Sequence, residues 1–99
     1  KLKTIMNANS KWSLKKNVFL ELDPDGKSGM LIDTTSSNYC SCNRTALLIL
    51  KKLEKGKTDI SNLTKEILKT HDINKTIARK DISNFLTKLK NLNLINEKL

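Results

Sequence analysis

Residues 38–56 read NYCSCNRTALLILKKLEKG, and the pattern changes at Asn43. Residues 38–42 are interpreted as an extended strand, whereas Asn43 is a favourable helix N-cap. After it, apolar residues recur at the i, i+3, i+4, i+7 spacing of a helix that ends at Gly56. Further leucines make this helix apolar on most sides, so we predict a central helix packed against a sheet and against other helices. The repeat comprises Ala46, Ile49, Leu50 and Leu53.

Two more strands are predicted before this segment. Over residues 17–22, apolar side chains alternate with Phe19 and Glu21, which is the period-two pattern of a half-buried strand. The following Asp-Pro-Asp-Gly at residues 23–26 is a turn sequence, because proline fixes φ and glycine tolerates positive φ. A return strand over residues 30–33 and a polar connection over residues 34–37 complete the prediction of a three-stranded antiparallel sheet.

Two helices are predicted after Gly56. Thr58 is expected to cap the first, which carries an apolar stripe and runs to about Thr70. The other begins near Asn74 or Lys75, after a tight polar turn over residues 71–74. Its inner stripe comprises Ala78, Ile82, Phe85 or Leu86, Leu89 and Leu92. The predicted fold class is α+β and winged helix-turn-helix-like, with a three-stranded antiparallel sheet followed by three helices.

The chain has 99 residues, which is a single-domain length. We expect a flexible N-terminal tail over residues 1–10 and one domain over residues 11–99. The longest purely apolar run, residues 46–50, is far shorter than the ~18 residues that span a bilayer, and no secretory signal is visible. The sequence therefore predicts a cytoplasmic location and no membrane partner.

The charge balance favours an acidic or polyanionic partner. Lys and Arg number 19 against 10 Asp and Glu, a net charge of +9. Only Arg44 and Arg79 are arginines, and arginine is the side chain favoured in phosphate and base recognition. A lysine-rich, solvated surface without a specific partner is the alternative interpretation.

Few residues have the chemistry of a catalytic or metal site. Cys40 and Cys42 form one Cys-Ser-Cys unit without the second pair that a four-ligand zinc site needs, so we interpret them as small buried apolar groups. The single His71 has no partner base or nucleophile nearby in sequence. We expect no metal, no cofactor and no catalysis by this chain.

The predicted sheet leaves one feature open to partners. A three-stranded sheet has two edge strands, whose unpaired N–H and C=O groups can template another chain. The strand over residues 38–42 contains neither Lys nor Pro, residues that block such pairing. If this edge lies beside a helix, a peptide can add as a fourth strand with alternate side chains in the groove.

The stretch over residues 29–94 resembles the PqqD-like family, named for protein D of pyrroloquinoline quinone (PQQ) biosynthesis. Its fold also serves as the recognition element for ribosomally made, modified peptides (RiPPs). The strand-to-helix junction and its spacing to the glycine are the most specific features. The matching landmarks are Leu31-Ile32-Asp33, Tyr39, Cys42-Asn43-Arg44-Thr45-Ala46, Leu53-Glu54-Lys55-Gly56, Asp81-Ile82, Phe85-Leu86 and Leu92-Asn93-Leu94-Ile95.

The resemblance implies a non-catalytic module, over residues 11–99, that captures the leader segment of a precursor peptide. It would present the peptide to a modifying enzyme such as a radical SAM enzyme, a cyclodehydratase, a dehydratase or a leader peptidase. Leaders of this kind are often acidic, which suits a charge of +9. The family places the peptide between the third strand and the third helix, antiparallel to the strand. Backbone bonds would then come from Asn38, Tyr39, Cys40 and Ser41.

The side of the third helix that faces this groove can be predicted from spacing. A stripe next to the core stripe contains Ile77, Asp81, Asn84 and Lys88. We expect Ile77 and Phe85 to form an apolar floor and Asn84 to donate or accept hydrogen bonds. Lys80 and Lys88 would meet leader carboxylates. The alternative is that Phe85 belongs to the core and that the lysines are only solvated.

A DNA-binding winged helix is the other function left open. The third helix carries five basic residues, and a helix-turn-helix with a basic surface is common in such proteins. Against this, few Arg or Gln side chains are available to read bases, and the strands precede the helices. Nucleic acid is therefore the less favoured partner. The five residues are Lys75, Arg79, Lys80, Lys88 and Lys90.

Overall fold

The computed structural model describes residues 10–98 as five strands and three helices. The strands form two sheets, and the three helices follow one another between the fourth and fifth strands. The elements are β1 Lys11–Leu14, β2 Val18–Leu22, β3 Gly29–Asp33, β4 Tyr39–Cys42, α1 Arg44–Lys55, α2 Ile60–Thr70, α3 Lys75–Asn91 and β5 Ile95–Lys98.

The larger sheet confirms the predicted three antiparallel strands, in the order β2-β3-β4. The turn after β2 closes with bonds from the Asp23 N–H to the Ser28 carbonyl and from the Gly26 N–H to the Asp23 carbonyl, and Gly26 has φ 71°. Gly29 allows close pairing of β2 and β3, because a Cβ there would lie 2.5 Å from the Glu21 carbonyl oxygen. Side chains such as Leu31 face the core, and their neighbours along each strand face outward.

The three predicted helices are confirmed, with one corrected cap. The Asn43 side chain caps α1 as expected, and the Asn74 side chain caps α3, which begins at Lys75 within the predicted range. The prediction that Thr58 caps α2 is wrong: Asp59 does so, and its carboxylate accepts from the Asn62 N–H at 2.8 Å. The backbone of Thr58 is instead paired with Trp12, which leaves the next residue to begin the helix.

A second sheet joins the two ends of the domain and was not predicted. β1 and β5 pair antiparallel, with Trp12 opposite Glu97 and Leu14 opposite Ile95. Residues 1–9 of the predicted tail lie outside the described residues. Ser10, expected as the last residue of that tail, is buried, and its hydroxyl donates to Glu97 at 2.7 Å.

One core lies between the larger sheet and the helices. Burying a large apolar side chain contributes about 1.5–3 kcal/mol, so these residues are the main source of stability. As predicted, α1 packs against both a strand, β4, and a helix, α2. The largest fully buried apolar side chains are Trp12, Leu31, Leu50, Leu53, Leu63, Ile82, Leu86, Leu89 and Leu94.

Candidate functional site

β4 lies at the edge of the larger sheet. It pairs with β3 on one side, and within residues 10–98 no strand pairs with its other side. β4 runs directly into the N-cap of α1 at Asn43, which fixes one end of this edge. The other end is held by Asn38, whose side-chain amide donates to the Leu92 carbonyl at 2.9 Å. Both ends of the edge strand are therefore held in place, one by α1 and the other by the residue that follows α3.

The hydrogen-bond pattern shows which backbone groups of β4 are open. The Asp33 N–H donates to the Asn38 carbonyl at 2.9 Å, so this pair is bonded toward β3. Such pairs alternate along an antiparallel ladder, so the next bonded pairs are Leu31 with Cys40 and Gly29 with Cys42. Tyr39 and Ser41 consequently direct their N–H and C=O groups away from β3. Of the four residues predicted to supply backbone bonds, these two have open backbone groups.

The side chains of β4 alternate between buried and exposed. Cys40 and Cys42 are buried as free thiols, in agreement with the interpretation made from their spacing. Burial is the main reason that the pKa of the Cys42 thiol rises to about 11, and the neighbouring Cys40 raises it further. Both thiols face the core, whereas Tyr39 is 59% exposed and Ser41 is exposed on the outer face.

α3 lies alongside this edge and runs in the opposite direction. Its C-terminal end meets the start of β4 through the bond from Asn38 to Leu92. Further back along the helix, the positive charge of Lys88 slightly lowers the pKa of the Cys42 thiol, against the larger effect of burial. Phe85 lines the same cavity as Asn43, just past the end of β4. We call the space between β4 and α3 the groove.

A mainly apolar cavity of about 350 Å³ lies at the start of α1, just past the end of β4. The half-buried Phe85 and the carboxylate-bearing Asp81 lie side by side in its wall. Its lining contains side chains from all three helices and from the turn before α3. These are Asn43, Thr45, Ala46, Ile49, Ile67, His71, Ile73, Ala78, Asp81, Ile82 and Phe85.

His71 is fixed within this cavity wall by two hydroxyl groups. Its Nε2 lies 3.1 Å from Thr45 Oγ1, and its Nδ1 lies 2.8 Å from Thr70 Oγ1. No role was predicted for His71, Thr45 or Ile73, because their proximity depends on how α1, α2 and the turn pack together. A sequence offers no spacing signal for a contact of that kind.

The structure brings only some of the predicted α3 residues together. Ile77, Lys80, Asp81, Asn84 and Lys88 are exposed, and Phe85 is half-buried. At about 100° per residue, Asp81 lies about 40° and Lys88 about 60° around the helix from Phe85. Lys80 lies about 140° from Phe85, on a different side of the helix. Asp81, Phe85 and Lys88 therefore lie within about 60° of one another around α3, with Ile77 and Asn84 further around the helix.

The described residues contain neither a membrane-spanning helix nor a group of side chains that could bind a metal ion. Within residues 10–98, no helix is long and apolar enough to cross a membrane. The same part of the chain holds no group of three or more His, Cys, Asp or Glu side chains placed to bind a metal ion.

Comparison with known proteins identifies both a family and a fold. The family model described as coenzyme PQQ synthesis protein D (PqqD) matches residues 28–95, which include β4, the groove and α3. No curated protein matches the sequence.

Two solved structures have the same fold. Lasso peptide synthetase B1 complexed with the leader peptide has a TM-score of 0.72 and 24% identity, covering 86% of this chain and 96% of that chain. TbiB1 in complex with the TbiA(beta) leader peptide has a TM-score of 0.76 and 17% identity, covering 85% of this chain and 94% of that chain. The described residues therefore have the same fold as two proteins that were solved in complex with leader peptides.

Proposed function

Because the chain belongs to the PqqD family, we propose that it is a non-catalytic module that binds the leader segment of a ribosomally made precursor peptide. The observation that carries this proposal is the open edge of β4 beside α3. Two proteins with this fold have been solved in complex with leader peptides. The bound peptide would be presented to a modifying enzyme in RiPP or PQQ-type biosynthesis.

Strand addition explains how such a module can bind peptides through the backbone. An extended peptide placed antiparallel to β4 would pair with the outward N–H and C=O groups of Tyr39 and Ser41. These groups are already held in strand geometry by β3, so little conformational entropy is lost on the protein side. Backbone pairing gives affinity, and specificity must come from the side chains that the groove receives.

The groove suits a peptide with apolar and acidic side chains. Phe85 and the adjoining cavity provide an apolar surface, and Ile77, about 80° around α3 from Phe85, is 53% exposed. Lys88 lies beside the groove and can meet a leader carboxylate, while the net charge of +9 attracts acidic chains over a longer range. Asn38, Cys40, Asp81 and Asn84 stay in the proposed site. Lys80 lies on a different side of α3 from Phe85, so it contributes to the net charge rather than to the groove.

The partner enzyme belongs to the same proposal. A module that holds a leader as a fourth strand leaves the rest of the precursor free to reach an active site on another protein. We propose a radical SAM enzyme, a cyclodehydratase, a dehydratase or a leader peptidase as the class of that partner.

The thiol chemistry supports a non-catalytic role. A thiol reacts as its thiolate, and the raised pKa of Cys42 keeps it protonated near neutral pH. Titration of the native protein with a thiol reagent at pH 7.5 should leave Cys42 unmodified until denaturant is added. Rapid modification of the folded protein would contradict this assignment.

The function is tested by NMR titration of labelled protein with the leader half of a precursor encoded beside its gene. We expect saturable shifts confined to residues 38–42 and to the groove side of α3, with no equivalent response to a random DNA duplex. Diffuse, salt-sensitive shifts with DNA and none with peptide would favour the winged-helix alternative, because phosphate binding by lysines weakens steeply with salt.

A matched pair of variants separates strand addition from other modes of binding. Tyr39→Pro removes an N–H that points away from β3, so the internal sheet bonds are kept while a donor to the peptide is lost. Tyr39→Ala keeps that donor. We expect Tyr39→Pro to abolish leader binding and Tyr39→Ala to retain it in weakened form. Equal affinities for two folded variants would refute the docking mode.

A further inference from the structure

The outer face of the larger sheet carries an apolar row that ends at the open edge. Phe19 lies directly opposite Ile32, and Ile32 lies directly opposite Tyr39. Phe19 is 58% and Tyr39 59% exposed, whereas their neighbours along the strands, Val18 and Cys40, are buried. The row therefore faces away from the core and crosses all three strands.

A second row on the same face differs in chemistry. Glu21 lies opposite Met30, which lies opposite Ser41. At the open edge, this row ends in a hydroxyl, while the first row ends in an aromatic ring. The two outward side chains of β4 are thus an apolar and a polar one, two residues apart.

The register of an added strand follows from the open backbone groups. Tyr39 and Ser41 would each form a hydrogen-bonded pair with the peptide residue directly opposite, and side chains of such pairs lie on the same face of a sheet. The peptide residue between those two would lie opposite Cys40 and point to the groove. A peptide at this edge therefore places one side chain against Tyr39 whatever its sequence.

We propose that the leader completes the apolar row, with an aromatic or β-branched residue opposite Tyr39 on the outer face of the sheet. This inference rests on the proposed leader-binding function and adds a specificity residue outside the groove. Cross-strand pairs of aromatic and β-branched side chains stabilise antiparallel sheets, and the row of Phe19, Ile32 and Tyr39 lacks a fourth member in the described residues. In an antiparallel peptide, the residue opposite Ser41 precedes this one by two positions and is free to be polar.

The leader peptide is the partner that covers Tyr39, because the open edge of β4 and the apolar row meet at this residue. Tyr39 supplies both the outward backbone groups and the last ring of the row. A partner seated on the face alone would leave the backbone of Tyr39 unpaired. A strand added at the edge satisfies the backbone and covers the ring together.

The test is selection of a random 12-residue peptide library, displayed on its encoding mRNA, against wild-type protein and two lysine variants. Wild type should enrich an aromatic or β-branched residue at one fixed position. Tyr39→Lys should change that position to Asp or Glu and leave the others unaltered. The matched control Ser41→Lys should introduce an acidic preference two positions earlier and keep the aromatic one.

A double-mutant cycle gives the quantitative check on a selected peptide. Calorimetry would combine Tyr39→Thr with replacement of the enriched aromatic residue by Thr. The Kd of the doubly changed pair should differ by about two- to fivefold from the value expected if the two changes acted independently, which is the range of cross-strand pairs. Independent effects, or an unchanged motif on a folded Tyr39→Lys protein, would overturn the proposal while the leader-binding function stands.

Some outcomes would also count against the proposed function or against strand addition. If wild type enriches no peptide, the proposal falls together with the function on which it rests. If the enriched peptides bind folded Tyr39→Pro as tightly as wild type, strand addition at β4 is refuted, and the proposal falls with it. If the edge is taken by a second copy of the chain, wild type will sediment as a dimer and Tyr39→Pro as a monomer, which also overturns it.

Discussion

At the scale of single residues, the carboxylate of Asp33 shows how local bonds fix the connection that precedes the edge strand. It accepts from the Thr35 N–H at 2.9 Å, from the Thr35 hydroxyl at 2.7 Å and from the Ser36 hydroxyl at 2.9 Å. The Thr35 N–H is the main cause that lowers the pKa of Asp33 from its ordinary 3.8 to about 2. The ionised form therefore stabilises the turn that leads into β4.

The sign of the resulting pH dependence is fixed by this lowered pKa. Stability from Asp33 is complete above the unfolded pKa and is lost as the pH falls through about 4 toward 2. Asp33→Asn should lower the free energy of unfolding at pH 7 and reduce its fall over that acid range. Urea denaturation from pH 2 to 7 measures this, with the exposed Asp72→Asn as the control for loss of one charge. An unaltered acid profile would show that the carboxylate is not responsible.

Residue-level prediction succeeded where one side chain acts on its own neighbours. Asn43 was predicted as a cap, because its amide needs only the N–H three residues later. Thr58 was wrongly chosen over Asp59, since its pairing with Trp12 depends on a strand 46 residues away in sequence. The outward orientation of Tyr39 and Ser41 likewise follows from the register with β3, which the sequence does not specify.

At the scale of elements, the sheet of β1 and β5 is the part that the sequence did not predict. Each strand has four residues, Lys-Trp-Ser-Leu and Ile-Asn-Glu-Lys, which is too short for a clear alternation of polar and apolar positions. The longer repeats of α1 and the alternation in β2 were sufficient to predict those elements. Sequence patterns often fail to predict short strands that depend on a partner far away in the sequence.

Trp12 makes this small sheet a main support of the fold. Its side chain is fully buried, and its backbone is bonded to Thr58 in both directions at 2.7 and 3.0 Å. Trp12→Ala should reduce the free energy of unfolding by about 3–5 kcal/mol, as expected for loss of a large buried aromatic side chain. Urea denaturation followed by circular dichroism gives the value.

The matched control for this change is Trp12→Phe. The Nε1 atom of Trp12 is buried and has no hydrogen-bond partner among the described residues. Replacing the tryptophan with phenylalanine therefore removes no side-chain hydrogen bond. We expect Trp12→Phe to cost clearly less than Trp12→Ala. If the two variants are equally unstable, the indole is needed for something other than filling space.

At the scale of the whole molecule, the net charge of +9 and the groove act over different distances. In the proposed function, the charge would speed encounter with an acidic peptide, while the geometry of β4 and α3 would determine how the peptide is held. The net charge follows directly from the sequence, and the sequence patterns predicted the order of the three strands and the three helices. It did not reveal which α3 residues share a wall, because that requires the rotation of α3 about its own axis.

That rotation distinguishes two lysines of equal charge. Lys88 lies about 60° around the helix from Phe85, whereas Lys80 lies about 140° from it. Lys88→Glu should weaken binding of an acidic leader by about two- to fivefold, the range of an exposed ion pair. Lys80→Glu changes the net charge equally and should have the smaller effect. Association rates and affinities by surface plasmon resonance at two salt concentrations measure both, and a reversed order would place the peptide on another side of α3.

Amide hydrogen exchange can show whether a leader peptide adds to β4 as a strand. In the free protein, we expect fast exchange at Tyr39 and Ser41, whose N–H groups point away from β3, and slow exchange at Cys40 and Cys42. Saturating leader peptide should slow exchange at Tyr39 and Ser41 and leave the two cysteine amides nearly unchanged. Bound leader with Tyr39 and Ser41 still exchanging freely would contradict the account.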